Sequence, residues 1–259
     1  MGNNPERPMR GSILALAAHL ATALATLALA PAGRAAEAQD GPVVLELFTS
    51  QSCSSCPPAE ALLAELARGR PAVIALELHV DYWDRLVHGG GAWKDPFSDP
   101  AFTARQRRYA QTVRDGGSIY TPQMIVDGRE GAVGSARRDV EAAIRRAHGR
   151  AGHLAVTATA DAAGLLRVAI AGTPGDAAGL WLARIEPART TAVPRGENAG
   201  RTLPNHNIVR ALTRVGDVRG PHTLLEVTPA LAPGEECVVF VQVEGQGAIL
   251  GAARCPAPA

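Results

Sequence analysis

The sequence has little net charge and few cysteines. At a formal charge of +1 there is no electrostatic reason to propose nucleic acid as a partner. Aromatic residues make up only 4% of the chain, and there are four cysteines in 259 residues. None lies near the small-residue zone that follows the N-terminal apolar run, so a lipoprotein anchor has no attachment point. Pro57 stands where a C-x-x-C-H motif needs histidine, which excludes covalent haem attachment. Cys237 and Cys255 are too distant from Cys53 and Cys56 to suggest a zinc knuckle. There is no internal repeat.

What is present begins with an export signal. Arg7 and Arg10 precede an Ala/Leu-rich run, Gly11 to Pro31, and Ala36-Glu37-Ala38 fits an A-x-A cleavage site. This reads as a signal peptide over residues 1–38, with Gln39 as the first mature residue. The run approaches spanning length, so a single membrane anchor is the alternative; the small alanines and the cleavage tripeptide favour removal. The mature chain is then expected in the periplasm or secreted, with no membrane span. In an oxidising compartment disulfides form and persist, so a C-x-x-C pair is a dithiol/disulfide couple before it is a metal knuckle.

The mature chain divides by pattern. From residue 39 to 150, strand-like and helix-like periods alternate. Val43–Phe48 and Val73–Val80 are nearly continuous apolar runs, as for strands covered on both faces. Ala59–Arg68 carries Leu62, Leu63 and Leu66 as a helical stripe. Asp99-Pro100 opens a second helix with Phe102, Tyr109 and Val113 on one face and Gly116-Gly117 as its end. A short strand, Gln123–Val126, precedes a third helix capped by Ser135. From 151 to 259 the helical period gives way to six strand-like runs separated by turn signals. The fold class expected is an α/β domain followed by a smaller all-β, sandwich-like domain. Val193–Arg219 fits neither grammar, being polar with one apolar island at Ile208-Val209.

Cys53 and Cys56 lie in FTSQSCSSCPP, between a strand and a helix. A helix N-terminus favours a thiolate, so Cys53, nearer the mouth, is the better nucleophile and Cys56 resolves the mixed disulfide. The prolines that follow cannot donate a helical N–H, which puts the cap near Ser54 or Ser55. An inert structural bridge is the competing reading. Tyr120-Thr121-Pro122 stands before the third strand, which is expected to run antiparallel and to bring Pro122 opposite Cys53, with the backbone of Thr121 free to pair with a substrate. Glu46 is a carboxylate inside an apolar strand; it either accepts the Cys56 proton, reaches solvent or pairs with an arginine. His79 ends the second strand, as an acid/base, a metal ligand or a hydrogen-bonded structural residue.

With C-S-S-C at a strand-to-helix junction and T-P before a strand, the first half resembles the thioredoxin superfamily, whose folds place a cis-proline at that point. More narrowly, FTSQSCSSCPPAEALL, HVDYW, WKDPF, YTPQMIVDGR and GENAGRTLPNHNIVR resemble a bacterial exported family of unknown function (domain of unknown function 1223). The resemblance implies a thioredoxin-like domain followed by a smaller β domain, and no assigned activity. The glycine-rich link from Leu86 to Ala92 is longer than that family's usual connection.

Cys237 and Cys255 are equidistant from Gln246, so a hairpin turning at Glu244–Gly247 sets them opposite one another for a structural disulfide. Three functions compete. One is thiol–disulfide exchange with thiols or disulfides of exported proteins, using Cys53, Cys56, Thr121, Pro122 and Glu46 without a cofactor. Another is copper handling, with Cys53, Cys56 and His79 as a soft S₂N set for Cu(I). The third is a non-catalytic protein-binding module. The first two both require the Cys53 sulfur to stand accessible at the sheet edge.

Overall fold

A computed structural model describes residues 41–87, 91–113, 118–150 and 152–257. The signal-peptide segment, the glycines at 89–90 and the expected helix end at Gly116-Gly117 lie outside the described residues.

The elements run β1 (Val43–Thr49), α1 (Pro57–Gly69), β2 (Val73–His79), a 3-10 turn (Tyr82–Arg85), α2 (Pro100–Thr112), β3 (Gln123–Val126), β4 (Glu130–Val133) and α3 (Arg137–His148). Seven strands follow: β5 (Ala155–Ala160), β6 (Leu166–Ala171), β7 (Ala178–Ala192), β8 (Thr202–Val218), β9 (His222–Val227), β10 (Glu236–Val243) and β11 (Ile249–Arg254). β1 is parallel to β2, from Val43 opposite Val73 to Thr49 opposite His79, and antiparallel to β3. β1, β2 and β3 are buried along their whole length, which is why their sequences run apolar without alternation.

The expected pair, a thioredoxin-like α/β domain followed by an all-β domain, is not what forms. One mixed eight-stranded sheet takes strands from both halves in the order β11-β10-β7-β8-β2-β1-β3-β4. β8 joins them, lying antiparallel to β7 and meeting β2 in parallel at Glu77 and Ile208. β5, β6 and β9 form a separate three-stranded sheet. The physical reason is that β2 is left with an open edge beyond β1, and the long β8 occupies it.

The two ends of the sheet also meet. Ile249 N–H donates to the carbonyl of Asp127 at 2.8 Å, so the β10–β11 hairpin returns to the β3–β4 turn. Gly128, at φ +63°, permits this approach: a Cβ there would lie 2.6 Å from the Gly247 carbonyl oxygen. One core gathers Phe102 and Tyr109 of α2 with Phe48, Ile74, Leu76, Ile185, Val209 and Phe240 from five strands. A second packs α1 and α3, through Leu62, Leu63, Leu66, Val140 and Ile144, on Leu45, Leu47 and Val126. A third joins β6 to β7 and β10 through Val168, Ile170, Leu180, Leu182, Val239 and Val241.

At the C-terminal end the hairpin reading holds. β10 and β11 pair antiparallel around Gly245 and Gln246, both at positive φ, and Cys237–Cys255 is a disulfide.

Candidate functional site

Between β1 and α1 the chain makes a tight loop, with Cys53 N–H on the Ser50 carbonyl and Cys56 N–H on the Cys53 carbonyl. Cys53 and Cys56 are joined in a disulfide with Cα atoms 5.4 Å apart. The cap residue of α1 is Cys56, rather than Ser54 or Ser55, and it already has helical angles, φ −80° and ψ −39°. Pro57 and Pro58 fill the first turn, so Ala59 and Glu60 supply the N–H groups that bond the Cys56 carbonyl, at 2.9 and 3.2 Å.

Both cysteines are fully buried, at 0% exposure. The accessible Cys53 sulfur that the redox and copper readings require is therefore absent from this conformation. A cover comes from the other half of the chain. β7 and β8 form a hairpin whose tip, residues 193–201, reaches the cysteine loop, and tip and β8 together fall within the segment Val193–Arg219 that fitted neither grammar. Asn198 Nδ2 donates to the carbonyls of Gln51 and Cys53, each at 2.9 Å. Glu197 Oε2 accepts from the Ser54 N–H at 2.9 Å and the Ser54 hydroxyl at 2.8 Å. Glu197 N–H bonds the Ser52 carbonyl, and Gly196, at φ +84°, lies so close that a Cβ would stand 3.0 Å from Ser52 Oγ. Arg201 in turn donates to Asn198 Oδ1 at 2.7 Å. The cysteine loop is thus pinned along its main chain.

A buried polar network lies beneath. His79 donates from Nδ1 to Asp95 Oδ2 and from Nε2 to Glu77 Oε1, both at 2.8 Å. Burial works to lower the His79 pKa, but the charge and hydrogen bond of Asp95, with those of Glu77, override it and hold it up at about 10. His79 is an imidazolium with both nitrogens engaged, and Cys53 and Cys56 are bridged. The copper set Cys53, Cys56 and His79 would need the bridge reduced and a carboxylate displaced. Asp95 Oδ2 also accepts from the Gln51 N–H at 2.8 Å, and Gln51 Nε2 donates to Asn205 Oδ1 at 3.0 Å. Asn205 Nδ2 closes the circuit on Glu77 Oε1 at 2.6 Å. Burial raises the Asp95 carboxyl, yet His79 and the two backbone donors leave it below its usual range.

Glu60 adjoins this network. It is buried, and its Oε1 accepts from the Thr49 hydroxyl at 2.6 Å. Burial first, and the Glu77 charge second, push its pKa up to about 8. At neutral pH it holds a proton. Because Cys56 is helical, Glu60 follows it at i+4 on the same face, and a helical side chain leans back toward the preceding turn.

Glu46 takes the arginine alternative. Arg105 Nε donates to Oε1 at 2.5 Å and Nη2 to Oε2 at 3.1 Å, while the Tyr109 hydroxyl donates to Oε2. Arg105 Nη2 also reaches Gln242 Oε1 at 3.0 Å, so the cluster ties β1 and α2 to β10. The hydrogen-bond partners of Glu46 are Arg105 and Tyr109, and neither cysteine is among them. Thr121-Pro122 is a cis peptide, and β3 pairs Gln123 with Phe48, which sets Pro122 at the end of β1 where the cysteine loop starts. The Thr121 hydroxyl accepts from Trp83 Nε1 at 2.7 Å.

Sequence reasoning missed Glu60, Glu77, Asp95, Asn198 and Asn205. Asp95 lies in WKDPF, and Asn198 and Asn205 in GENAGRTLPNHNIVR, so stretches scattered over the chain meet at one loop. Glu60 was findable: it shares a helical face with Cys56 and Leu63, an apolar stripe where a carboxylate is out of place.

A family model described as a protein of unknown function (DUF1223) matches residues 44–242. The crystal structure of protein AGR_C_4864 from Agrobacterium tumefaciens is similar at 26% identity and a TM-score of 0.69, covering 83% of this chain and 93% of that one. HBP35 of Porphyromonas gingivalis shares the fold at 16% identity and a TM-score of 0.54, over 83% of this chain and 74% of that one. No curated protein matches the chain.

Proposed function

The chain belongs to the DUF1223 family, whose function is unknown, and from that premise we propose that it is an exported thiol–disulfide exchange protein with a covered reactive pair, Cys53–Cys56. The observation that carries this reading is Glu60: a buried carboxyl, bonded to the Thr49 hydroxyl, one helical turn from Cys56, where burial pushes its pKa up. Burying a carboxyl so that it stays neutral costs stability, and such groups gather where a proton has to move.

A substrate thiolate attacks the Cys53 sulfur, and the Cys53–Cys56 bond breaks. Cys56 leaves with the bonding pair and takes the proton of Glu60, which becomes a carboxylate. A second substrate thiolate then attacks the substrate sulfur of the mixed disulfide and releases Cys53 as thiolate. The substrate dithiol is oxidised and the protein disulfide reduced by the same two electrons. Run backwards, the Glu60 carboxylate accepts the Cys56 proton as the bridge reforms.

No attack is possible while the pair is sealed, so exchange requires the Gly196–Asn198 tip to lift from Gln51–Ser54. The substrates are thiols or disulfides of exported proteins; two disulfides in one chain suit an oxidising compartment, periplasmic or extracellular. No helix among the described residues is long and apolar enough to cross a membrane.

The test is equilibration in graded glutathione buffers, with the Cys53 and Cys56 thiols trapped by alkylation and weighed. The expected result is a reversible bridged-to-dithiol transition, with mixed disulfide formation that vanishes in Cys53→Ser. A pair that never exchanges in the folded protein, even with the tip loosened by Asn198→Ala, would refute the reading.

A further inference from the structure

Beside the cysteine pair, a groove separates α1 from the first half of β8. Its near part, about 350 Å³, begins at Pro57 and Glu60 and includes Arg68, Arg201 and His206. Its far part, about 550 Å³, shares Arg68 and His206 and ends at Pro71 and Arg254. Three arginines and a histidine line it, and Glu60, neutral at pH 7, is the one acid among the described lining residues. None of the three arginines forms an ion pair with a carboxylate among the described residues: Arg201 donates to Asn198 and Arg254 to the Val73 carbonyl. The nearest acid along the helix, Glu65, is bound by Arg137. Three arginines without an ion pair thus line one concave wall.

We infer that this groove receives an extended acidic segment of the polypeptide whose cysteine meets Cys53. The identity of that occupant as an exchange substrate rests on the function proposed above. Charge complementarity selects the sign, and length supports the form. The 13 residues of α1 span about 20 Å, which accommodates roughly six residues of extended chain. A flat anionic membrane does not enter a concavity of this width. Among its described lining residues there is no Phe, Tyr or Trp, and the His206 ring alone makes no run of stacking platforms such as a single-stranded nucleic-acid channel uses. Arg201 adds a functional link. An acidic side chain that draws Arg201 away removes the donor that orients Asn198, so occupancy of the groove loosens the cover over the pair.

The experiment measures binding of a labelled peptide of alternating glutamate and alanine to the full chain carrying Cys53→Ser and Cys56→Ser. A glutamine version, anionic vesicles and a single-stranded oligonucleotide serve as competitors. The acidic peptide should bind and weaken with salt, and Arg68→Glu with Arg254→Glu should cost at least about tenfold in affinity. Arg138→Glu with Arg145→Glu, on α3, should leave it unchanged. Equal binding of the glutamine peptide, indifference to the groove variants, or preference for vesicles or oligonucleotide overturns the inference. Because the probe protein lacks the reactive sulfurs, peptide binding with a wild-type pair that never exchanges upholds the groove and removes only the redox reading.

Discussion

Replacing Asn198 by alanine should expose the Cys53–Cys56 bridge to reductant. Asn198 Nδ2 satisfies two buried carbonyls at 2.9 Å each. A net hydrogen bond contributes about 1 kcal/mol, and a buried carbonyl left unpaired costs about 1–3 kcal/mol. Taken together, the substitution should shift the closed-to-open balance by roughly 2–4 kcal/mol, or about thirtyfold to nearly a thousandfold at 1.4 kcal/mol per decade. When closing outruns reduction, the observed rate follows that balance directly. The assay is the rate of bridge reduction by limiting dithiothreitol, read by alkylation and mass. Cys237–Cys255, which clips the β10–β11 hairpin, is an internal reference; its rate should stay constant. A Cys53–Cys56 rate within about threefold of wild type, in a variant that keeps its far-UV spectrum and melting temperature, would show that the tip does not gate the pair.

Four further outcomes are expected. Glu60→Gln should slow bridge opening by about a hundredfold and erase an inflection near pH 8 in its rate profile, measured under the same reductant. The same variant should change stability with a definite sign. Glu60 binds its proton more tightly folded than unfolded, so wild-type stability falls as pH rises from 4.5 to about 8, and urea midpoints of the glutamine variant should fall less over that window. Arg105→Ala strands Glu46 in the core and should cost about 3–5 kcal/mol in urea unfolding, whereas a change under 1 kcal/mol would mean that water replaces the guanidinium. Cys237→Ser with Cys255→Ser should lower stability by on the order of 3 kcal/mol and leave Cys53–Cys56 exchange unaltered.

How far the sequence disclosed this molecule can be judged element by element. β1 and β2 were legible because strands covered on both faces show nearly continuous apolar runs, β3 as a short strand after Thr121-Pro122, and the C-terminal clip because its cysteines straddle a turn. β8 was not legible. Asn205 and His206 make it read as polar loop, yet Asn205 is buried against Glu77 and Gln51, and the His206 N–H bonds Glu77. A strand whose polar groups are satisfied by distant partners leaves no alternation to detect. The same blindness produced the wrong architecture, since pattern within each half says nothing about pairing between them. Glu46 was singled out correctly as an odd carboxylate, but its partner Arg105 lies on another element, and the odd carboxylate beside Cys56 passed as an ordinary helix former.

The order of the chain has a consequence for its making. The residue that pins the Cys53 carbonyl arrives 145 positions later. At about 5–20 residues per second, a ribosome needs on the order of 7–30 s to add them. Throughout that interval the sulfurs and the free margin of β2 stand bare on an unfinished polypeptide. A Cys53–Cys56 bond made before residue 198 docks is sealed in after it forms, whereas one made later requires the cover to lift first.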